Sequence, residues 1–462
     1  MKIFKKIFLI AIAFALVITG IYYSKYYYNI ALIGAGYKAK IICSGIFITK
    51  KSEKEVLNND LKIPALSYFD HRVDYSQKSV TVCTLFGLIK RKAVFHPERG
   101  AILDWQRPSI IASDREYFIQ NSDYNGDENL DTDIIFDRVN YKELHSIVDR
   151  QFEIICNDSL RTQAIIILYK GKIIAERYNN SINENTRLCG WSMTKSFGNI
   201  VAGILVRKNL IHLDEKINIS NWMNDMGKNE ITLDNLLRMM SGLEFNESYK
   251  KYDSDVLKML YLEKDAAKYA ASKDLIHSPG THWNYSSGTS NILAKFVHIK
   301  LAQNKIHSYQ FVKREILNKI GMSSALLESD KTGTMLFSTG LYATAREWAC
   351  FGKFLYQNGI WNNQMFLPEW WLDYSTTRTK DSRYQKHGAH FWIKPSCAKK
   401  LKDWEIIKQL PNDMFYAAGH YGQFIFIVPS KNMVVVRLAQ TYNSDNFNEY
   451  KFLLNIVNTI KM

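Results

Sequence analysis

The 462-residue sequence lacks the features that mark several common classes of protein. Its six cysteines form no C-x-x-C pair, so it suggests neither a zinc site nor a thioredoxin-like redox site. It has no low-complexity tract, and its hydrophobic content of 47% indicates a folded chain with a substantial core. The net charge is +15, but the lysines form no basic stripe and accompany no nucleic-acid-binding motif. We therefore expect no nucleic-acid partner and interpret the charge as a solvated surface.

The N-terminus carries the one long uncharged run. Lys2, Lys5 and Lys6 precede residues Ile7–Tyr23, about the minimum length of a spanning helix, and tyrosines suited to a membrane interface follow. A cleaved signal peptide begins in the same way, but no small-x-small cleavage site follows the run, which favours an uncleaved anchor. The positive-inside rule then predicts a single-pass protein of the cytoplasmic (inner) membrane with its body on the periplasmic, extracytoplasmic side. An export compartment would permit one disulfide.

Three segments are expected before the main domain. Residues 1–28 form the predicted transmembrane anchor. Residues 29–115 alternate short β-type runs with turn signals, "IICSGIFI", "KSVTVCTLFGLI" and "KAVFHP", which predicts a small β-rich module. The acidic segment Asn121–Asp133 lacks the glycine and glutamate positions of a calcium loop, so residues 116–139 are interpreted as a linker.

Residues 140–462 are expected to form one larger domain. A helix begins near Asn140, and a hairpin spans Ala164–Tyr178. Strand patterns return only near the C-terminus, in "HFWIKP", "GQFIFIVP" and "MVVVRLAQT", before a final helix over Asn446–Ile460. Since the chain between is mostly helical, the pattern predicts an α+β fold. One antiparallel sheet, built from both chain ends and flanked by helices, would carry an inserted helical subdomain.

The segment "GWSMTKSFGNI" places Ser192 and Lys195 three residues apart at the start of an apolar helix. A serine hydroxyl needs a neighbouring base to become nucleophilic, and this spacing puts both side chains on one helix face. A lysine can act as that base when partial desolvation lowers its pKa. The alternative is a helix cap beside a surface lysine, which is common by chance. The strands just upstream and the apolar run downstream favour the catalytic interpretation.

Two later motifs follow in a fixed order. Tyr285 lies in "HSPGTHWNYSSGTSNIL", and His420 precedes Gly422 in "AAGHYGQFIFIVP". With the S-x-x-K segment, these motifs resemble those of the penicillin-recognising serine hydrolases, which include class C β-lactamases, D-alanyl-D-alanine carboxypeptidases, esterases and 6-aminohexanoate-dimer hydrolases. The segments "ITLDNLLRMMSGL" and "GLYATAREWACFGKFLYQNGIWN" strengthen the resemblance, which covers most of residues 140–462. It implies the β-lactamase/transpeptidase-like fold.

The resemblance also implies roles for individual residues. Ser192 would be the acylated nucleophile, Lys195 its base and Tyr285 the proton relay to the leaving group. The backbone N–H groups of Ser192 and Gln423 would form the oxyanion hole. This assignment requires no cofactor.

Two positions depart from the pattern of the β-lactamases. Ser287 stands where relatives have the asparagine of Tyr-x-Asn, and His420 stands where many have the lysine of Lys-Thr-Gly. With Gly422, which would let substrate approach the strand edge, these residues are the expected substrate contacts. Both departures are more similar to the 6-aminohexanoate-dimer hydrolase and esterase branch than to true β-lactamases.

The sequence thus favours a membrane-anchored serine hydrolase that acts on a small-molecule or short peptide-like amide or ester. A β-lactamase or cell-wall D,D-carboxypeptidase is the alternative enzyme. A non-catalytic sensor or scaffold on the same fold is the second alternative, although the serine, lysine and tyrosine are all retained. His387 and His390 have a spacing that could hold a metal, but no carboxylate or cysteine joins them, so no metal site is expected.

Overall fold

The computed structural model describes residues 2–104, 130, 134–153, 160–219, 222, 225–396 and 401–461. The helices are Lys2–Phe47 (α1), Glu53–Glu55 (α2), Tyr141–Arg150 (α3), Met193–Arg207 (α4), Leu233–Leu237 (α5), Asp255–Tyr261 (α6), Ala266–Ala271 (α7), Ser287–Gln303 (α8), Ser308–Gln310 (α9), Ala345–Tyr356 (α10), Trp371–Thr376 (α11), Trp404–Gln409 (α12) and Glu449–Asn458 (α13). The strands are Asp70–Asp74 (β1), Ser79–Thr84 (β2), Ile89–His96 (β3), Gly100–Asp104 (β4), Thr162–Tyr169 (β5), Lys172–Tyr178 (β6), Leu188–Cys189 (β7), Leu326–Leu327 (β8), Leu341–Ala343 (β9), Ile360–Trp361 (β10), Gln364–Met365 (β11), Trp392–Ile393 (β12), Phe415–Gly419 (β13), Gln423–Val428 (β14) and Met433–Ala439 (β15). Most of the predicted linker, with Cys156 and Cys397, lies outside the described residues.

The main sheet joins the two ends of the large domain. Its six strands follow the order β12-β13-β14-β15-β5-β6, and every pairing is antiparallel. Every residue of β5 is buried. Ile165 and Ile167 pack with α3 and α13, whereas Ile166 and Leu168 face α4 and α10. An uninterrupted apolar run is therefore what this strand needs, because both of its faces are covered.

The predicted α+β fold is confirmed. Helices α5 to α9 lie in the chain between β7 and β8, so the helical insertion separates the N-terminal hairpin from the later strands. Helix α4 follows β7 and crosses beneath the sheet, where its residues from Met193 to Leu205 are buried. The serine–lysine segment therefore lies between the sheet and the helical insertion.

The N-terminal region combines a helix with a separate sheet. Strands β1 to β4 form an antiparallel sheet in sequential order. The strand predicted for Ile41–Ile48 is wrong, because Ile41–Phe47 continues the 46-residue helix α1. A short apolar run does not by itself distinguish a strand from a buried helix. Gly45 lies so close to Val56 that a β-carbon there would come within 2.4 Å of it, so close packing of the helix settles the conformation.

By length and composition, the stretch Tyr22–Phe47 of helix α1 meets the criteria of a membrane span, a signal sequence or a core helix, and 67% of its most apolar window is buried inside the protein. Two stretches of the helix differ in burial. From Ile33 to Phe47 most side chains are buried against β2, β3 and the large domain. Towards the N-terminus, the described side chains of Phe4, Phe14, Tyr22 and Tyr23 are exposed.

A buried ion pair joins α1 to the large domain. Lys40 Nζ lies 2.9 Å from Glu328 Oε2, and the Glu328 side chain is 2% exposed. Ser44 donates to the same carboxylate over 2.8 Å, and the Ala101 amide donates over 3.2 Å. The helix, β4 and the residue after β8 therefore share one polar cluster.

Candidate active site

Ser192 begins helix α4 after an unusual backbone turn. The preceding residue, Trp191, has φ of +48°, in the left-handed region that non-glycine residues seldom occupy. Ser192 stands at the N-cap of the 15-residue helix. Its hydroxyl does not cap the helix but accepts a hydrogen bond from Lys195. The hydroxyl therefore lies at the positive end of the helix dipole.

The Lys195 amine is held by three oxygen atoms. Nζ lies 2.9 Å from Ser192 Oγ, 3.0 Å from Ser287 Oγ and 3.0 Å from the Ser338 carbonyl oxygen. The side chain is only 3% exposed. Burial lowers the pKa of Lys195 to about 8, against the opposing effect of Glu247. About a tenth of the amines are then neutral at pH 7, which is the form a general base needs.

Tyr285 completes the group around the nucleophile. Its ring centroid lies 5.0 Å from Lys195 Nζ, and its hydroxyl bonds to Ser192. Burial and the Glu247 carboxylate raise the pKa of Tyr285, so the phenol keeps its proton near neutral pH. His387 packs edge-on against the tyrosine ring at 6.0 Å, and Trp392 lies at 5.4 Å. Aromatic side chains therefore shield this side of the site from water.

Glu247 is a member of the cluster that sequence reasoning missed. Its carboxylate accepts the Ser287 amide over 2.7 Å and also the Ser287 hydroxyl. Oε1 lies 4.0 Å from Lys195 Nζ, with the glutamate side chain 17% exposed. Burial raises the pKa of Glu247, while Lys195 and Ser287 oppose the rise. Ser287 therefore connects the amine to a carboxylate, a contact additional to its predicted role towards substrate.

The His420 turn forms the wall opposite Tyr285. Residues 420–422 connect β13 to β14, and a β-carbon on Gly419 would lie 2.2 Å from the Gly190 carbonyl oxygen. This close approach sets the turn beside the nucleophile. The His420 ring stacks on Tyr249 at 4.8 Å and meets Trp191 edge-on at 5.7 Å. Burial lowers the pKa of His420 to about 4, so the ring is neutral at pH 7.

The last two predicted residues hold this turn in place. Gly422 has φ of +83°, and a β-carbon there would lie 2.5 Å from Arg437 Nη1. The glycine is thus required by the buried Arg437, which donates to its carbonyl over 2.8 Å. The Gln423 side chain donates to the His420 carbonyl over 2.9 Å. The oxyanion-hole role of the Ser192 and Gln423 N–H groups stays a prediction.

The structure brings all the predicted site residues to one place. Ser192, Lys195, Tyr285 and Ser287 form the centre, and the His420 turn adjoins it through Trp191. Sequence reasoning missed Glu247, Tyr249 and the Ser338 carbonyl. The first two lie in the polar segment "EFNESYKKYDSD", which has no periodic pattern. A backbone carbonyl leaves no signature in the residue type, so nothing local could have identified Ser338.

The two histidines weighed as metal ligands have other contacts. The His390 ring lies 3.1 Å from the Lys195 carbonyl oxygen, and Ser196 donates to the His390 carbonyl over 2.7 Å. These bonds fix helix α4. Trp283 Nε1 donates a hydrogen bond to His387 Nδ1 over 3.4 Å. Across the described ranges, no group of three or more His, Cys, Asp or Glu side chains is arranged to hold a metal.

Comparisons with known proteins identify the family and the fold of the chain. The profile of the β-lactamase family matches residues 156–456. A solved structure from Bacillus anthracis assigned as a 6-aminohexanoate-dimer hydrolase is 21% identical with a TM-score of 0.53, covering 68% of this chain and 81% of its own. EstCE1, a hydrolase with promiscuous acyltransferase activity, is 13% identical with a TM-score of 0.52, covering 70% and 99%. An uncharacterized Alkalihalophilus pseudofirmus protein is 20% identical over 345 residues, 66% of this chain and 94% of its own.

Proposed function

The chain belongs to the β-lactamase family, a family of serine hydrolases, and we propose that it cleaves an amide or ester through an acyl-enzyme on Ser192. The observation that carries this proposal is the 2.9 Å contact between Lys195 Nζ and Ser192 Oγ. The lysine is buried and its pKa is lowered to about 8, so the base is available near neutral pH. A serine that only caps a helix and a lysine that only lies on the surface would need neither this contact nor a buried amine with a lowered pKa.

The proposed reaction assigns one step to each group. Neutral Lys195 takes the Ser192 proton as Oγ attacks the substrate carbonyl, and the N–H groups of Ser192 and Gln423 bind the oxyanion. Tyr285 gives its proton to the departing amine or alcohol as the carbon–heteroatom bond breaks, and the Lys195 ammonium reprotonates Tyr285 and is neutral again. Water then attacks the acyl-enzyme and gives a proton to Lys195. That proton passes to Ser192 Oγ as the acid leaves, which restores free Ser192 and neutral Lys195.

The groups around Ser192 support linear esters and amides over β-lactams as substrates. His420 is neutral, since burial lowers its pKa to about 4, so it offers no cation to the carboxylate of a β-lactam. Ser287 stands where relatives have the asparagine of Tyr-x-Asn, which would contact an amide of the substrate. It is already bonded to Lys195 and Glu247. A lost bond to a charged group is worth roughly 1.5–3 kcal/mol, or about ten- to a hundredfold in recognition. Short esters and ω-amino-acid amides are the expected substrates.

The proposal also places the enzyme at a membrane. The uncharged run Ile7–Tyr23 would anchor it, with the hydrolase on the extracytoplasmic side. A reporter that functions only after export, fused after Met462, should be active. The protein should resist extraction by salt or alkali. A shortened soluble form released from cells would instead identify a cleaved signal peptide.

Labelling with a fluorophosphonate probe, followed by a substrate panel, tests the catalytic proposal. We expect mass spectrometry to find the probe on Ser192, with turnover of short esters or amides exceeding that of a chromogenic cephalosporin. Faster cephalosporin turnover would favour the β-lactamase or D,D-carboxypeptidase alternative. Absence of labelling and of turnover on the whole panel would favour the non-catalytic sensor.

A further inference from the structure

Helix α1 leaves the folded body at Tyr26. This tyrosine is half-buried on the face of the helix that contacts the body, whereas Tyr27 and Tyr28 beside it are 63% and 49% exposed. One turn earlier, Tyr22 and Tyr23 are 66% and 52% exposed. The uncharged run ends at Tyr23, so only Ser24 and Lys25 separate it from the body. Two helical residues span about 3 Å. With Ile7–Tyr23 in a bilayer, the part of the body beside Tyr26 therefore lies in the headgroup layer.

The part of the body beside Tyr26 is the segment Asn246–Ser254, which we call the aromatic loop. Asp253, near its end, interacts electrostatically with Tyr26. Helix α6 follows the loop and runs alongside α1, since Tyr261 at its end contacts the Tyr37 ring at 5.2 Å. The Asp253 end of the loop therefore lies near the point where α1 leaves the body.

The other end of the aromatic loop lies in the active site. Glu247 bonds to Ser287 and lies 4.0 Å from the Lys195 amine, and Tyr249 stacks on His420. Five residues lie between Glu247 and Asp253, and the extended backbone over these six steps spans at most about 20 Å. The Lys195 amine, 4.0 Å from Glu247, is therefore within about 25 Å of the membrane-facing end of the loop.

The middle of the aromatic loop has the chemistry of a membrane interface. Lys250 and Lys251 are exposed, and Tyr252 is 58% exposed. Tyrosine settles at the headgroup level of a bilayer, and lysines near an anionic surface contribute about 1 kcal/mol each. Two lysines and a tyrosine at this place match an anionic membrane surface.

Resting on the anchored hydrolase proposed above, we infer that the substrate is an amphiphile held in the same membrane by its acyl chains. Its scissile ester or amide would lie in the headgroup portion and enter the site along the aromatic loop. The polar headgroup rather than the chain would enter, because the groups around Ser192 are a lysine, a serine, a glutamate and a tyrosine.

The test changes the height of the site above the membrane. The full chain is reconstituted in vesicles of phosphatidylcholine and phosphatidylglycerol with two fluorogenic esters that share a scissile group. One ester carries a hexadecyl chain and inserts into the vesicle, while the other is water-soluble. The variant has a helical Glu-Ala-Ala-Ala-Lys-Glu-Ala insertion between Ser24 and Lys25, which raises the body by about 10 Å. The matched control carries the same insertion between Met1 and Lys2.

We expect the insertion after Ser24 to reduce turnover of the inserted ester at least tenfold and to leave the soluble ester within twofold. The control insertion should change neither. Lys250→Glu with Lys251→Glu should lower turnover of the inserted ester in anionic vesicles but not in pure phosphatidylcholine. Equal turnover of the inserted ester before and after the insertion would overturn the inference, while Ser192-dependent turnover of the soluble ester would leave the hydrolase proposal standing. Turnover of both esters that survives Ser192→Ala would overturn the hydrolase proposal itself.

Discussion

Two regions of the molecule differ in how far apart in sequence their contacting residues lie. They are the acylation cluster, which consists of Ser192, Lys195, Tyr285, Ser287 and Glu247, and the N-terminal segment, residues 2–104. Ser192 and Lys195 are three residues apart, and their contact follows from one turn of helix. In contrast, Lys40 meets Glu328 across 288 positions of sequence, and Arg91 donates to the Tyr261 carbonyl over 2.7 Å. Motifs can therefore identify the cluster, but only the tertiary structure shows that the N-terminal segment is part of the hydrolase body.

Removal of the nucleophile should have the largest effect. It tests whether the activity depends on the acylation cluster rather than on the surrounding structure. Ser192→Ala should lower ester turnover by about 10⁴-fold or more, because the step that forms the acyl-enzyme is lost. The rate of ester hydrolysis measures this loss, and fluorophosphonate labelling followed by mass spectrometry shows whether the reactive serine is gone. Ser278→Ala, at an exposed serine away from helix α4, provides a control that should keep its label. Full labelling of the Ser192→Ala protein would contradict the assignment.

The second change keeps the charge of the base but removes its ability to lose a proton. Lys195→Arg should lower the acylation rate by about a hundredfold or more, since a guanidinium stays protonated. Stopped-flow measurement of the acylation burst checks this. Lys208→Arg, at the end of the same helix, is the matched control. An arginine variant with near-wild-type acylation would make Lys195 a structural residue.

The third change breaks the ion pair that joins the N-terminal segment to the large domain. Lys40→Met leaves the buried Glu328 carboxylate without its cation, which should lower the free energy of unfolding by about 3–5 kcal/mol. Combining it with Glu328→Gln should recover most of the loss, because no charge then stays buried. Denaturant unfolding of the detergent-solubilised full chain measures both. Unchanged stability of Lys40→Met would mean that the two regions are only loosely joined.

The smallest effect is expected from the residue that the sequence did not reveal. The Glu247 carboxylate favours the charged form of Lys195 and so raises its pKa, against the larger effect of burial. Glu247→Gln should therefore move the acid limb of the acylation rate from near pH 8 to lower pH. The rate below pH 7 would rise less than about tenfold. Glu244→Gln, on an exposed neighbour, should leave the limb in place. A limb that moves to higher pH would exclude this coupling.

The sequence by itself determined the elements whose causes are local. The hairpin of β5 and β6, the C-terminal strands and the final helix follow from apolar periodicity and turn residues over a few positions. The pairing of Ser192 with Lys195 follows from helical spacing, and its catalytic interpretation from the motif order that Tyr285 completes. Each of these features depends on residues that are close together in the chain, so the local sequence is enough to predict it.

Only the tertiary structure decided the features that depend on distant segments. The apolar run Ile41–Phe47 is helical because it continues α1 and packs closely on Val56. The pKa of Lys195 is lowered because the body buries its amine, with Ser287 and the Ser338 carbonyl as partners. Burial and close approach arise only when segments far apart in the chain meet, and no single stretch of sequence contains both sides of such a contact.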